Sequence, residues 1–194
     1  TLVWQEITRR GYAPTDKEEQ RGVEKILEYI RAEDKGLLRE QPLRDFTIEA
    51  ISYEGINEMP GSDMAVSRRM HAFGTEALEV LLHMQRRRVR LERIIARGKR
   101  FQTPWGPGIG VHTRELHGTD DIAFQHGYVL VALIGTETGF RQIRANPSTK
   151  VDLTKAYQKA IAEEPKASWY LHQAKKLLLC GAPHGMQLQL SRLT

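Results

Sequence analysis

Hydrophobic positions along the chain change period twice. Over about residues 16 to 34, Val23, Ile26, Leu27 and Ile30 recur at the three- and four-residue steps of a helix. Thr15, Asp16, Lys17 and Glu18 precede them with capping-box spacing, and Gly36 stands where such a helix would stop. Residues 64 to 96 contain no proline, and Met70, Phe73, Ala77, Leu81, Met84, Leu91 and Ile94 keep the helical step behind an N-cap offered by Gly61, Ser62 and Asp63. This predicts the longest helix of the chain, kinked near Gly74 and ended by Gly98. Between the two helices, residues 46 to 53 read equally as strand or helix.

After Gly98 the period shortens to two. Ile109, Val111 and Thr113 alternate with small or polar residues, residues 128 to 134 form an almost unbroken apolar run, and residues 140 to 143 a shorter one. Turn-forming clusters at 104 to 108, 117 to 121 and 135 to 139 separate them. Four or five short strands within about 50 residues predict a small antiparallel barrel or tight sheet. Beyond Asn146, Pro147 and Ser148 the helical step returns with Leu153, Tyr157, Ala160 and Ile161, as far as Pro165. A last helix is predicted from about Ser168, carrying Trp169, Ala174, Leu177 and Leu178 and ending at Gly181. The reading is an α+β chain: a mainly helical region 1–97, a β module 98–147, and a C-terminal helical pair 148–194.

Composition narrows the class without naming a reaction. With 194 residues, 40% hydrophobic and 27% charged, the chain reads as an ordinary soluble protein, and no run nears the roughly 20 apolar residues of a membrane span. Its single cysteine, Cys180, excludes an internal disulfide and any multi-thiolate metal site. At the end of the predicted last helix, the helix dipole would raise that thiol's pKa and disfavour a nucleophilic role. The chain opens on Thr1, not methionine, so residues before it are expected, and whether they included a targeting segment is left open by the sequence. The expected location is intracellular, in cytoplasm or an organelle matrix.

Charge changes the picture more. Residues 86 to 100 hold seven arginines and one lysine against Glu92 alone, a local +7 in a chain of net +5, so the remainder sums to −2. At 100° per residue, Arg86, Arg90, Arg93, Arg97 and Arg100 fall within about 40° of one line, while Met84, Leu91, Ile94 and Ile95 lie opposite. Guanidinium groups spaced along one helix face can contact successive phosphates. A solvated face, or one docked on an acidic protein, is the plainer alternative.

Gly98-Lys-Arg-Phe-Gln-Thr-Pro-Trp-Gly-Pro-Gly-Ile-Gly-Val, the apolar run at 128 to 133 and Gly139-Phe-Arg-Gln-Ile together resemble a Tudor-type small barrel, as found on some DNA helicases and transcription-associated proteins. The resemblance covers about residues 98 to 147 and implies a barrel with a glycine-rich first corner. Independently of it, Pro104 and Gly106 suit a chain reversal, with Trp105 at its tip or packed beneath, structural or offered to a base. The same stretch lacks a P-loop, and Gly106, Gly108 and Gly110 enter a strand where a phosphate site needs a helix N-terminus.

Enzyme signals are thin. His117, Gly118 and Thr119 echo the His-Gly-Thr element of ADP-ribosyl-transferring enzymes, with Glu137 as a later acid. Residues 132 to 140 are similar to the acid-bearing segment of lytic transglycosylases, where the glutamate sits on a helix; here it falls in strand and turn. Seven scattered histidines show no metal-binding spacing; only His112 with His117 or His126 could converge across a hairpin. No cofactor and no metal are expected. The favoured reading is a non-catalytic, nucleic-acid-binding accessory component of a nucleoprotein assembly, gripping RNA or DNA backbone through Arg86, Arg87, Arg90, Arg93, Arg97, Lys99, Arg100 and Trp105. An adaptor docking an acidic protein surface is second, and an ADP-ribosyl-transfer-like enzyme third.

Overall fold

The structure is a computed structural model, and it describes residues 2–37, 60–181 and 190–192. The ambiguous stretch at 46 to 53 lies outside the described residues. The chain divides into two compact units, Thr1–Arg90 and Leu91–Thr194.

The first unit is helical: α1 (Leu2–Arg9), α2 (Lys17–Asp34) and α3 (Asp63–Ala96) through Arg90. Asp16 caps α2, its Oδ1 accepting from the Glu19 amide at 2.8 Å. The cap thus falls one residue later than the Thr15 spacing implied, because either side chain can reach an amide three residues on. At the other end Gly36 takes φ +71°, and its amide donates to the Glu33 carbonyl at 2.7 Å, closing the last turn. Gly22 is buried against α3. A Cβ placed there would stand 3.3 Å from the Arg86 nitrogen and 3.5 Å from Leu82 Cδ1, so a side chain would force the two helices apart.

The second unit takes in the last turns of α3 and a six-stranded sheet. Its strands are β1 (Lys99–Thr103), β2 (Gly106–Thr113), β3 (Leu130–Gly135), β4 (Arg141–Ala145), β5 (Trp169–Leu171) and β6 (Leu177–Cys180), with α4 (Thr119–Gln125) between β2 and β3 and α5 (Thr154–Glu163) between β4 and β5. The strand order is β1-β2-β3-β4-β6-β5, leaving β1 and β5 at the edges. The expected α+β class is present. The expected small antiparallel barrel is not: the sheet is open, and β2 and β3 run parallel, Ile109 opposite Val131 and Val111 opposite Leu133. A parallel pair needs a crossover, and α4 supplies it. That helix occupies the segment expected as a turn at 117 to 121, where Gly118 and two aspartates give a seven-residue helix the chemistry of a loop.

The predicted last helix is also corrected. Residues 169 to 180 form the β5–β6 hairpin, with Trp169 opposite Cys180 and Lys175 at φ +56° in its turn. The three leucines 177 to 179 fit a strand between two neighbours as readily as a helix, and the turn lacks glycine or proline to announce it. Among the described residues, no helix is long and apolar enough to cross a membrane.

Each face of the sheet has its own core. On one, Leu91 and Ile95 of α3 and Ile122 and Ala123 of α4 pack with Ile109, Val111, Val131 and Leu133. On the other, Val151 and Leu153, with Tyr157 of α5, pack on Ala145 and Leu178, reaching Leu130, Ile143, Trp169 and Leu171. Gly98 must be small where α3 turns into β1, since a Cβ would lie 2.6 Å from Ile109 Cδ1. Residues 190–192 return to this unit: the Ser191 amide donates to Cys180 Sγ at 3.2 Å, and the Arg192 amide to Glu164 Oε1 at 2.6 Å.

Candidate functional site

The eight residues picked from the sequence divide between the two units. Arg86, Arg87 and Arg90 belong to the first; Arg93, Arg97, Lys99, Arg100 and Trp105 to the second.

In the first unit the arginines meet acids of the same chain. Arg86 Nη2 lies 4.0 Å from Asp16 and its Nη1 3.9 Å from Glu19, and Arg90 Nη1 is 3.5 Å from Glu18. All three carboxylates sit at the start of α2, where the helix dipole also favours negative charge. Arg86 and Arg90 are half-buried, as are Arg87 and Arg88. Each stands among other groups of the chain, and Arg87, Arg88 and Arg93 also engage neighbours. Part of the stripe therefore has its acidic counterpart inside the fold.

The second unit presents a different arrangement. Arg97, at the end of α3, and Lys99 and Arg100, on edge strand β1, are exposed and form no ion pair among the described residues. From Arg93 to Arg114 there are five cations and no Asp or Glu. Trp105 stands in the turn between β1 and β2 and is 45% exposed, so of the two places open to it from sequence it takes the tip. The turn is tied by Thr103, whose Oγ1 donates to the Gly106 carbonyl at 2.7 Å and accepts from the Trp105 amide at 3.2 Å. Gly106 takes φ +133°, and a Cβ there would press on Val129.

Phe101 was not singled out by sequence. Strand alternation puts Lys99, Phe101 and Thr103 on the face shared by their partners Gly110, Gly108 and Gly106, and Arg100 on the opposite face with Ile109. The Phe101 ring rests on Gly108, whose missing Cβ would stand 2.3 Å from the ring, and yet Phe101 stays 37% exposed. The signal available in sequence was the Gly-Pro-Gly-Ile-Gly pattern opposite a phenylalanine, legible only once the β1–β2 register is known.

The enzyme echoes find structural roles. Gly118 takes φ +78° ahead of α4, and buried Thr119 donates its hydroxyl to the Glu115 carbonyl, so two of the three motif residues form the start of that helix. Glu137 is in the β3–β4 turn, 3.1 Å from Arg114. Cys180 ends a strand rather than a helix; it is buried, and burial, not a dipole, pushes its thiol pKa up. Among the described residues, no three His, Cys, Asp or Glu side chains gather as metal ligands.

No family model, curated protein or solved structure matches this chain.

Proposed function

We propose that the second unit binds nucleic acid, as a non-catalytic accessory component, through Arg97, Lys99 and Arg100 with Trp105 nearby. The observation that carries the reading is the exposed trio, without an ion pair among the described residues, in a stretch of five cations without an acid. Like charges held this close repel one another, and a polyanion relieves that repulsion while releasing its own counterions. Trp105, 45% exposed in the turn between β1 and β2, adds an aromatic face beside them.

Arg86 and Arg90 contribute less to this interface than sequence spacing implied, because Asp16, Glu18 and Glu19 already neutralise them. The adaptor reading is weakened by the same ion pairs, since an acidic surface for the stripe exists within the chain. The test is a salt titration of RNA and DNA binding. Affinity falls steeply between low and moderate salt, and charge reversal at Arg97, Lys99 and Arg100 abolishes it; salt-independent binding, or none at low salt, refutes the reading.

A further inference from the structure

We propose that the face of β1, β2 and β3 that carries Phe101 is a stacking platform for single-stranded nucleic acid, a base lying on Phe101 while Lys99, on the same face, holds a flanking phosphate. The inference rests on the nucleic-acid reading above and specifies the strand form bound.

Three observations support it. First, β3 is less covered on this face than on the other: Val131 and Leu133 are 0% and 1% exposed, while Ala132 and Ile134, facing this way, are only half-buried in a central strand. The core built around α5 reaches Leu130 on that face but includes neither Ala132 nor Ile134. Second, β2 lines this face with Gly108 and Gly110 before exposed His112, so no β2 side chain rises directly beside the Phe101 ring. The ring lies against the Gly108 backbone, and a Cβ at Gly110 would meet only the Lys99 carbonyl, at 3.7 Å. Third, the charge is complementary: Lys99 precedes Phe101 by two residues on the same face, and the surrounding sequence carries no carboxylate from 93 to 114.

Single strands use all of this, whereas a duplex does not. A duplex offers phosphates outward and keeps its bases stacked inside, leaving an exposed aromatic ring without a partner. Unpaired bases have free π-faces, and stacking on an aromatic side chain depends little on base identity.

The experiment compares the full chain with Phe101→Leu, Phe101→Tyr and the triple charge reversal at Arg97, Lys99 and Arg100. The probes are labelled oligothymidylate and oligouridylate of about 15 nucleotides, a duplex of that length, and an oligonucleotide of abasic sites. Fluorescence anisotropy reads binding, and a urea titration confirms that each variant is folded. Phe101→Leu is expected to weaken binding of the base-bearing single strands about 5- to 150-fold, the range that base–aromatic stacking gives, with Phe101→Tyr close to the parent. The abasic strand binds parent and Phe101→Leu alike. If Phe101→Leu binds oligothymidylate as the parent does while the charge reversal abolishes binding, the platform is wrong and the phosphate interface stands. If the parent binds none of the probes at low salt, both fall.

Discussion

The Arg144 guanidinium donates to the Asp120 carboxylate, joining strand β4 to the first turn of α4. Asp120 is almost wholly enclosed, its side chain 4% exposed, whereas Arg144 keeps 38% of its side chain in solvent. Gln142, two residues back on the same face, donates to the same oxygen at 3.3 Å. A short crossover helix with few apolar residues is thus anchored by a charged contact as well as by Ile122 and Ala123.

Asp120→Ala leaves Arg144 and Gln142 without their shared acceptor and is expected to cost about 2–3 kcal/mol. Asp120→Asn keeps an acceptor and costs less. Urea unfolding followed by circular dichroism measures both, and an unchanged midpoint for Asp120→Ala would show that the apolar contacts of α4 suffice.

Two sets of arginine variants are expected to separate. Charge reversal at Arg97, Lys99 and Arg100 leaves stability almost unchanged and lowers the salt slope of nucleic-acid binding by about 2–3 before binding is lost. Reversal at Arg86 and Arg90 sets like charges against Asp16, Glu18 and Glu19. It costs about 1 kcal/mol of stability and leaves the salt slope in place. Equal loss of binding in both sets, with both folded, would return Arg86 and Arg90 to the interface.

Acid is expected to loosen the return of residues 190–192. A hydrogen bond from the Ser191 side chain, chiefly, holds the Glu164 carboxyl below its ordinary range, aided by the Arg192 amide. Asp152 is held low in the same way, first by the Thr154 hydroxyl and then by the Thr154 amide at 2.8 Å. A folded-state pKa below the unfolded one gives stability that is present above the unfolded value and fades as pH falls through the folded one. Stability should therefore decline between about pH 5 and pH 3, with a shallower decline in Glu164→Gln. Thermal melts across that range, run on both proteins, decide it.

Cys180 is expected to resist alkylation in the folded chain, since it is buried and that burial pushes its thiol pKa up. Iodoacetamide labelling followed by mass spectrometry should be slow without denaturant and rapid in urea. Fast native labelling would place the strand β6 end in solvent.

How much of this was legible in the sequence depended on element length. The long periodic segments were found closely: α2 and α3 lie where Ile26, Ile30, Met84 and Leu91 set them, and Gly98 ends α3 with its amide bonded to the Ile95 carbonyl. Short elements were not, for physical reasons. Seven residues of α4 make barely two turns, too few for a period, and the three residues of β5 carry no alternation. Missing α4 turned a parallel pair into an assumed antiparallel one, and so an open sheet into an assumed barrel. At the candidate site the cations were visible as composition, but their division into paired and exposed sets depended on where α2 begins. Phe101 became visible only through its register with Gly108.

The open sheet has one more consequence. Among the described residues β1 and β5 have a strand neighbour on one side only, and an outward row of backbone donors and acceptors could pair with another copy of the chain and grow a continuous sheet. β5 limits this by being three residues long, and β1, at five, carries Lys99 and Arg100. The side chains proposed to meet a polyanion would therefore also keep neighbouring molecules from zipping together, and neutralising them is expected to favour aggregation.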